Sequence, residues 1–154
     1  MNSLMETNFV ILPSIEEVDM ALRESDAKIL GATHRYEGLQ GKTGEWLARA
    51  EDRLLSGSPG TIYLKRLGHR ALSSDDFENL VRSLGTPEDQ QALIDFGVAQ
   101  QELTERLKNT KAIGLVLEQA AITRDLLYKR AKRPDLWKPD DIKKVMEVLD
   151  RLRV

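Results

Sequence analysis

The residues able to do chemistry are present but dispersed. The chain has two histidines, His34 and His69, 25 aspartates and glutamates, and no cysteine. Without cysteine, disulfides, thiolate catalysis, zinc ribbons and iron–sulfur clusters are excluded. Neither histidine belongs to an E-x-x-H or H-E-x-x-H pair, the spacings that put two metal ligands on one helix face. Asp75, Asp76 and Glu78 lie near His69 in the chain, but acids opening a helix serve its dipole. There is no nucleophile elbow to place a serine beside a histidine. The sequence therefore predicts no catalytic residue, no metal and no cofactor, and a chain that is not an enzyme.

Two short segments invite comparison with phosphate chemistry. Gly38-Leu39-Gln40-Gly41-Lys42-Thr43 ends like a phosphate-binding loop. That loop needs G-x-x-x-x-G-K-[ST], and its first glycine would fall on Tyr36. The strand that should precede it is also missing, so an interhelical turn is expected. His34-Arg35-Tyr36-Glu37-Gly38 has the H-x-x-x-G spacing and resembles the site of histidine phosphotransfer domains, which are helical bundles of similar size. The resemblance covers five residues and implies phosphorylation at His34. The family pattern has lysine before the glycine; Glu37 stands there in this chain, and a carboxylate repels phosphate.

Basic clusters are the other polar feature. Lys65, Arg66, His69 and Arg70 fall on one side of a helix read from Thr61 to Leu72, opposite Tyr63, Leu64, Leu67 and Ala71. Such a face, beside the Gly57–Gly60 loop, could meet nucleic-acid phosphates. The competing expectation is a solvated face, or pairing with the acidic helix that begins at Asp75. Arg124, Lys129, Arg130, Lys132 and Arg133 close a later helix, where cations offset the negative end of the dipole. An acidic isoelectric point, near 5.8, argues against a dedicated DNA binder.

The elements that position these residues read as helices throughout. Residues 1–13 read as a tail with a short extended piece at Phe9–Leu12, and residues 14–154 as one helical domain. Ser14-Ile15-Glu16-Glu17 is a capping box. Behind it Ile15, Val18, Leu22, Ile29, Ala32, Tyr36 and Leu39 follow a three–four spacing, with Ser25 as the gap. That is one seam of a coiled coil or bundle edge. Gly38, Gly41 and Gly44 are expected to break or bend it, since each costs a helix interior about 1 kcal/mol relative to alanine. Ser73 or Ser74 opens a helix that Gly85 stops. Thr86-Pro87-Glu88-Asp89 then opens a pattern running to Lys132, with a possible break near Asn109-Thr110. Its stretch from Ala112 to Ile122 is apolar nearly all round and predicts the buried central helix. Arg133-Pro134 ends it, Trp137 reads as an anchor closing the bundle, and Pro139-Asp140-Asp141 starts the last helix.

Composition agrees with an all-α single-domain bundle of about five to seven helices with a long central helix. The 154 residues are 41% hydrophobic but only 5% aromatic, which suits aliphatic helix-on-helix packing. No apolar run approaches the ~20 residues of a membrane span, and the first residues lack a signal-peptide pattern. A cytoplasmic location is expected. Charge alternates in blocks: net −4 over residues 1–33, +3 over 34–73, −6 over 74–103 and +5 over 104–133. Alternation of this kind predicts that successive helices attract one another. The functional expectation is a non-catalytic helical interaction protein: an adaptor, regulator, inhibitor or small subunit of an assembly. Its partner would be another protein or a second copy of the chain, with no membrane and no small-molecule substrate. The candidate contact residues are Ile15, Val18, Leu22, Ile29, Tyr36 and Leu39. The alternative is a nucleic-acid-contacting subunit using Lys65, Arg66, His69, Arg70, Lys129, Arg130, Lys132 and Arg133.

Overall fold

Capping chemistry punctuates this chain and sets its helix boundaries. The computed structural model describes residue 12 and residues 14–152; the expected tail, Leu12 apart, lies outside the described residues. Among these residues there are eight α-helices and no strand: α1 (Ile15–Gln40), α2 (Thr43–Arg49), α3 (Pro59–Arg66), α4 (Ser74–Leu84), α5 (Pro87–Lys108), α6 (Ile113–Gln119), α7 (Arg124–Lys132) and α8 (Pro139–Leu152). Short 3-10 turns at Asp52–Leu54 and Pro134–Leu136 complete the chain. The all-α bundle is as expected, with one helix more than the upper count.

Three long helices form the frame. α5 runs antiparallel to α1, placing Asp95 beside Arg35 and Arg106 beside Asp26. α8 also runs antiparallel to α1, joined by Lys143 to Glu37 at 2.8 Å. Between them lies the larger core, built from Ile29, Phe96, Leu103, Leu107, Ile142 and Met146 with their neighbours. A second core at the other end gathers Leu39, Trp46, Leu54, Phe77, Leu80 and Val81 beneath α2, α3 and α4. Tyr36 belongs to both. Its ring stacks on Phe96, with centroids 3.8 Å apart and planes 12° from parallel, and meets Phe77 edge-on at 5.4 Å. Offset-stacked and edge-to-face pairs are the favoured aromatic geometries, so one ring ties the two cores together.

The glycine run acts at one point. α1 passes through Gly38 and ends at Gln40, and α2 begins at Thr43 with Gly44 inside it. The break is therefore confined to Gly41-Lys42. The long pattern from Thr86 to Lys132 is not one helix but three. α5 supplies the long central helix, and the apolar 112–122 stretch supplies only the seven-residue α6. α6 ends in a Schellman arrangement: the Ile122 N–H donates to the Leu117 carbonyl at 2.9 Å and Ala121 sits at φ 56°. Such a position normally takes glycine. The alanine there hid the helix end from the sequence pattern. α3 ends in the same way at Gly68, φ 78°, where the His69 N–H reaches the Leu64 carbonyl. The helix expected to run to Leu72 thus stops at Arg66.

α4 meets α5 at a tight corner on Gly85. Its backbone is extended, with φ −74°, so glycine is needed there for space and not for a left-handed turn. A Cβ would lie 2.5 Å from the Val81 carbonyl oxygen, which cannot yield without moving α4.

Two substitutions test these turns by urea denaturation. Ala121→Gly, on an exposed residue, is expected to stabilise the protein by about 1 kcal/mol by removing left-handed strain. Gly85→Ala is expected to destabilise it by about 1–3 kcal/mol through overpacking. Unchanged midpoints in both would refute this account of the corners.

Candidate interaction surfaces

The seam read along α1 divides into two parts. From Ser25 onwards it is core: Ile29 and Leu39 are buried and Tyr36 is half-buried between the two cores. These three are structural residues and are not available to a partner. Before Ser25 every described side chain is exposed, including Ile15 at 89%, Val18 at 43% and Leu22 at 42%. The reason is length. α5 ends at Lys108, just past the Arg106–Asp26 pair, and α8 ends at Leu152, just past Asp150, which lies near Asp26. No described side chain of the first ten residues of α1, Ile15–Glu24, is buried. These residues span about 15 Å at 1.5 Å per residue. Ser14 caps this end, its Oγ accepting from the Glu17 N–H at 3.1 Å.

Where α1 leaves the bundle it forms a groove with α5. The groove encloses about 900 Å³ and is walled by Leu22 and Ser25 on α1 and by Val98, Glu102, Glu105 and Arg106 on α5. Arg106 is engaged at its inner end by Asp26, with nitrogen–oxygen distances of 3.2 and 3.3 Å. Burial pushes the Asp26 carboxyl above its ordinary value; Arg106 draws it back and the Asp150 charge pushes it up again. Val98 is 47% exposed and Ile94, one turn earlier on α5, is 58% exposed.

The expected basic face on α3 is taken apart by the fold. Lys65 is buried and its Nζ donates to the Asp76 carboxylate at 2.5 Å, the Ser56 carbonyl at 2.8 Å and the Ser56 hydroxyl at 3.0 Å. Arg66 donates to the Leu47 and Ala50 carbonyls, both at 2.7 Å, and to Asp52. It closes the carboxyl end of α2, whose last carbonyls need donors. His69 and Arg70 lie past the end of α3, exposed, with Arg70 on the Thr61 hydroxyl at 3.2 Å. The four residues do not form one helical face.

The α7 cluster is divided as well. Arg130 is buried, pairs with Asp141 at 2.7 Å and lies 4.7 Å over the Trp137 ring. Trp137 is the anchor expected: it is 1% exposed, and its indole N–H donates to Thr104 Oγ1 at 3.1 Å. Arg133 is held by Asp135, while Lys129 and Lys132 remain exposed at the end of α7.

The Gly38–Thr43 segment is the interhelical turn expected. Lys42 is the bolt between the α1–α2 turn and α5, its Nζ 2.8 Å from Asp89. His34 projects from the middle of α1 with its Nδ1 3.4 Å from Glu37. Among the described residues no group of three or more His, Asp or Glu is placed to hold a metal ion. No described helix is long and apolar enough to cross a membrane.

The electrostatic features the sequence understated are two aspartates. Asp76 and Asp89 each close a reciprocal capping box, with Ser73 and Thr86. Each is also the target of a lysine, Lys65 and Lys42. Burial pushes the Asp76 carboxyl up. The Lys65 ammonium and the Ser56 and Ser73 donors more than reverse it, holding the group well below the usual carboxylate range. Asp89 is lowered in the same manner by Lys42 and Thr86 against its burial.

Comparison with protein-family models, with curated proteins and with solved structures finds no match to this chain.

Lys65→Met strands the buried Asp76 carboxylate and is expected to cost about 3–5 kcal/mol at pH 7. The pH sign follows from the depressed carboxyl. The pair's stabilisation is present above the ordinary carboxylate value near 3.8 and is lost as pH falls through the lower folded value. Without Lys65 that carboxyl rises, so acid unfolding followed by circular dichroism begins at a higher pH in the variant. An acid midpoint that does not move would show that the pair is not formed.

Proposed function

We propose that this chain is a non-catalytic helical interaction protein that engages a protein partner through the projecting end of α1. One observation carries the reading. The first ten residues of α1 continue the seam that builds the core, yet their aliphatic side chains at Ile15, Val18 and Leu22 stay exposed and outside both cores. Three large aliphatics in helical register are the anchors of a helix–helix contact. Each is worth about 1.5–3 kcal/mol when fully buried. A short helix standing in water by itself is marginal, since segments under ~12–15 residues rarely persist alone. Here it is held by continuity with the packed part of α1 and by the Ser14 cap. It is thus pre-formed for a partner, which lowers the ordering cost of binding.

The test separates the two halves of the seam. Val18→Asp/Leu22→Asp is expected to leave urea stability within about 0.5 kcal/mol of the parent, because neither side chain packs in the core. The same variant is expected to lose partners that the parent retains in quantitative pull-downs from source cells. Ile29→Asp, inside the core, is expected to unfold the bundle. A Val18→Asp/Leu22→Asp protein that stays folded and keeps every partner of the parent would refute the reading.

A further inference from the structure

Where the two cores meet, the molecule holds another cleft, of about 390 Å³. Tyr36 of α1, which belongs to both cores, lines it together with Ser74 of α4, Phe96 and Gln100 of α5, and Leu136 and Pro139 at the turn into α8. Clefts of this size at the junction of two packed units are a favoured place for small-molecule ligands.

Gln100 gives the cleft a chemical demand. The residue is only 6% exposed. Its Nε2 donates to the Trp137 carbonyl at 2.7 Å and to the Asp135 carbonyl at 3.4 Å. Two carbonyls on the nitrogen fix which way the amide is turned. The Oε1 on the other side accepts no hydrogen bond from any described residue, yet it is not sealed from solvent. Gln100 lines the cleft, so this open acceptor faces into it. Polar atoms of side chains this buried are nearly always paired, and this one calls for a donor from outside the chain.

The remaining wall sets the rest of the ligand. Tyr36, Phe96, Leu136 and Pro139 make it largely apolar around the amide. The lining and its ion-pair partners hold three carboxylates, Glu37, Asp135 and Asp140, and three cations, Lys138, Lys143 and Arg133. These charges cancel, so nothing repays an ion for losing its water. A flat ring buries two apolar faces and keeps one polar edge, which matches an apolar wall with a single open acceptor.

We propose that this cleft binds a small, neutral, aromatic molecule that donates an N–H to Gln100 Oε1 and lays its ring against the apolar wall. The site is separate from the α1 end and does not depend on what that end engages.

Indole is the probe. Benzofuran, of the same shape with oxygen in place of the N–H, is its control. In nitrogen–proton correlation spectra of the full chain, indole is expected to shift the Gln100 side-chain amide and the backbone amides around Tyr36 and Leu136 saturably at millimolar concentration. Benzofuran is expected to bind at least about tenfold more weakly, because it leaves the buried acceptor unpaired. Ser74→Trp and Leu136→Trp, at exposed positions of the wall, fill the cleft and are each expected to abolish the shifts. Gln100→Met removes the acceptor and is expected to do the same. Its amide also holds two carbonyls, so circular dichroism must show that the variant folds; the tryptophan variants and the benzofuran control carry the test if it does not. Val18→Asp/Leu22→Asp is expected to bind indole like the parent, which keeps this site's fate apart from that of the α1 end.

An absence of saturable shifts with indole would overturn the proposal and leave only water on Gln100. Equal affinity for indole and benzofuran would overturn it by removing the donor. Indole that still binds both tryptophan variants sits elsewhere and would overturn it as well.

Discussion

The 26-residue α1 helix is longer than anything packed against it, and most of the architecture follows from where its neighbours begin and stop. α5 and α8 both run antiparallel to it and both run out at the level of Asp26. From Ser25 to Gln40 the helix has a floor of apolar side chains on both flanks. From Ile15 to Glu24 it has none among the described residues. The two stretches share one hydrophobic spacing, so the difference lies in tertiary contacts and not in local propensity. The Tyr36 ring, stacked on Phe96 and edge-on to Phe77, makes the buried stretch the spine of both cores.

Charge organises the rest. The basic block of residues 34–73 and the acidic block of 74–103 meet through Lys42–Asp89, Lys65–Asp76 and Arg35–Asp95. Two of these aspartates already cap α4 and α5, so each lysine fixes a helix start as well as a pair. The buried one, Lys65–Asp76, adds little over an apolar substitute but is costly to break, which makes it a device for fixing position. The acidic block at the start of the chain meets the later basic block through Asp26–Arg106. Four more of its acids, Glu16, Glu17, Asp19 and Glu24, lie along the projecting end of α1.

Local signals in the sequence were legible where a side chain or a ring closure supplied them. Ser14, Ser73 and Thr86 with Pro87 marked helix starts, and Pro139 the last one, because each satisfies or removes an unpaired backbone donor. Trp137 was legible as an anchor because a large ring beside a proline turn has few other uses. The end of α6 was not legible, since Ala121 occupies a left-handed position that carries no compositional mark. Gly68 lies inside an amphipathic pattern that continues to Leu72, which masks the end of α3. Lys65 and Arg66 read as a surface face because spacing cannot reveal that Asp76 and the α2 carbonyls lie opposite them. The seam residues were found by spacing, but spacing assigned Ile15 and Ile29 the same role. Only the extents of α5 and α8 beside α1, contacts far away in sequence, divide them.

The central claim is that the bundle is complete without the first ten residues of α1. Residue-resolved amide hydrogen exchange, at a concentration where light scattering gives the mass of one chain, tests it most directly. The account predicts that amides from Ile29 to Leu39 exchange only with global unfolding, whereas those from Val18 to Glu24 exchange through local opening, orders of magnitude faster. Uniform protection from Val18 to Leu39 in the monomer would contradict it, because it would mean that the α1 end is already part of the cooperative core.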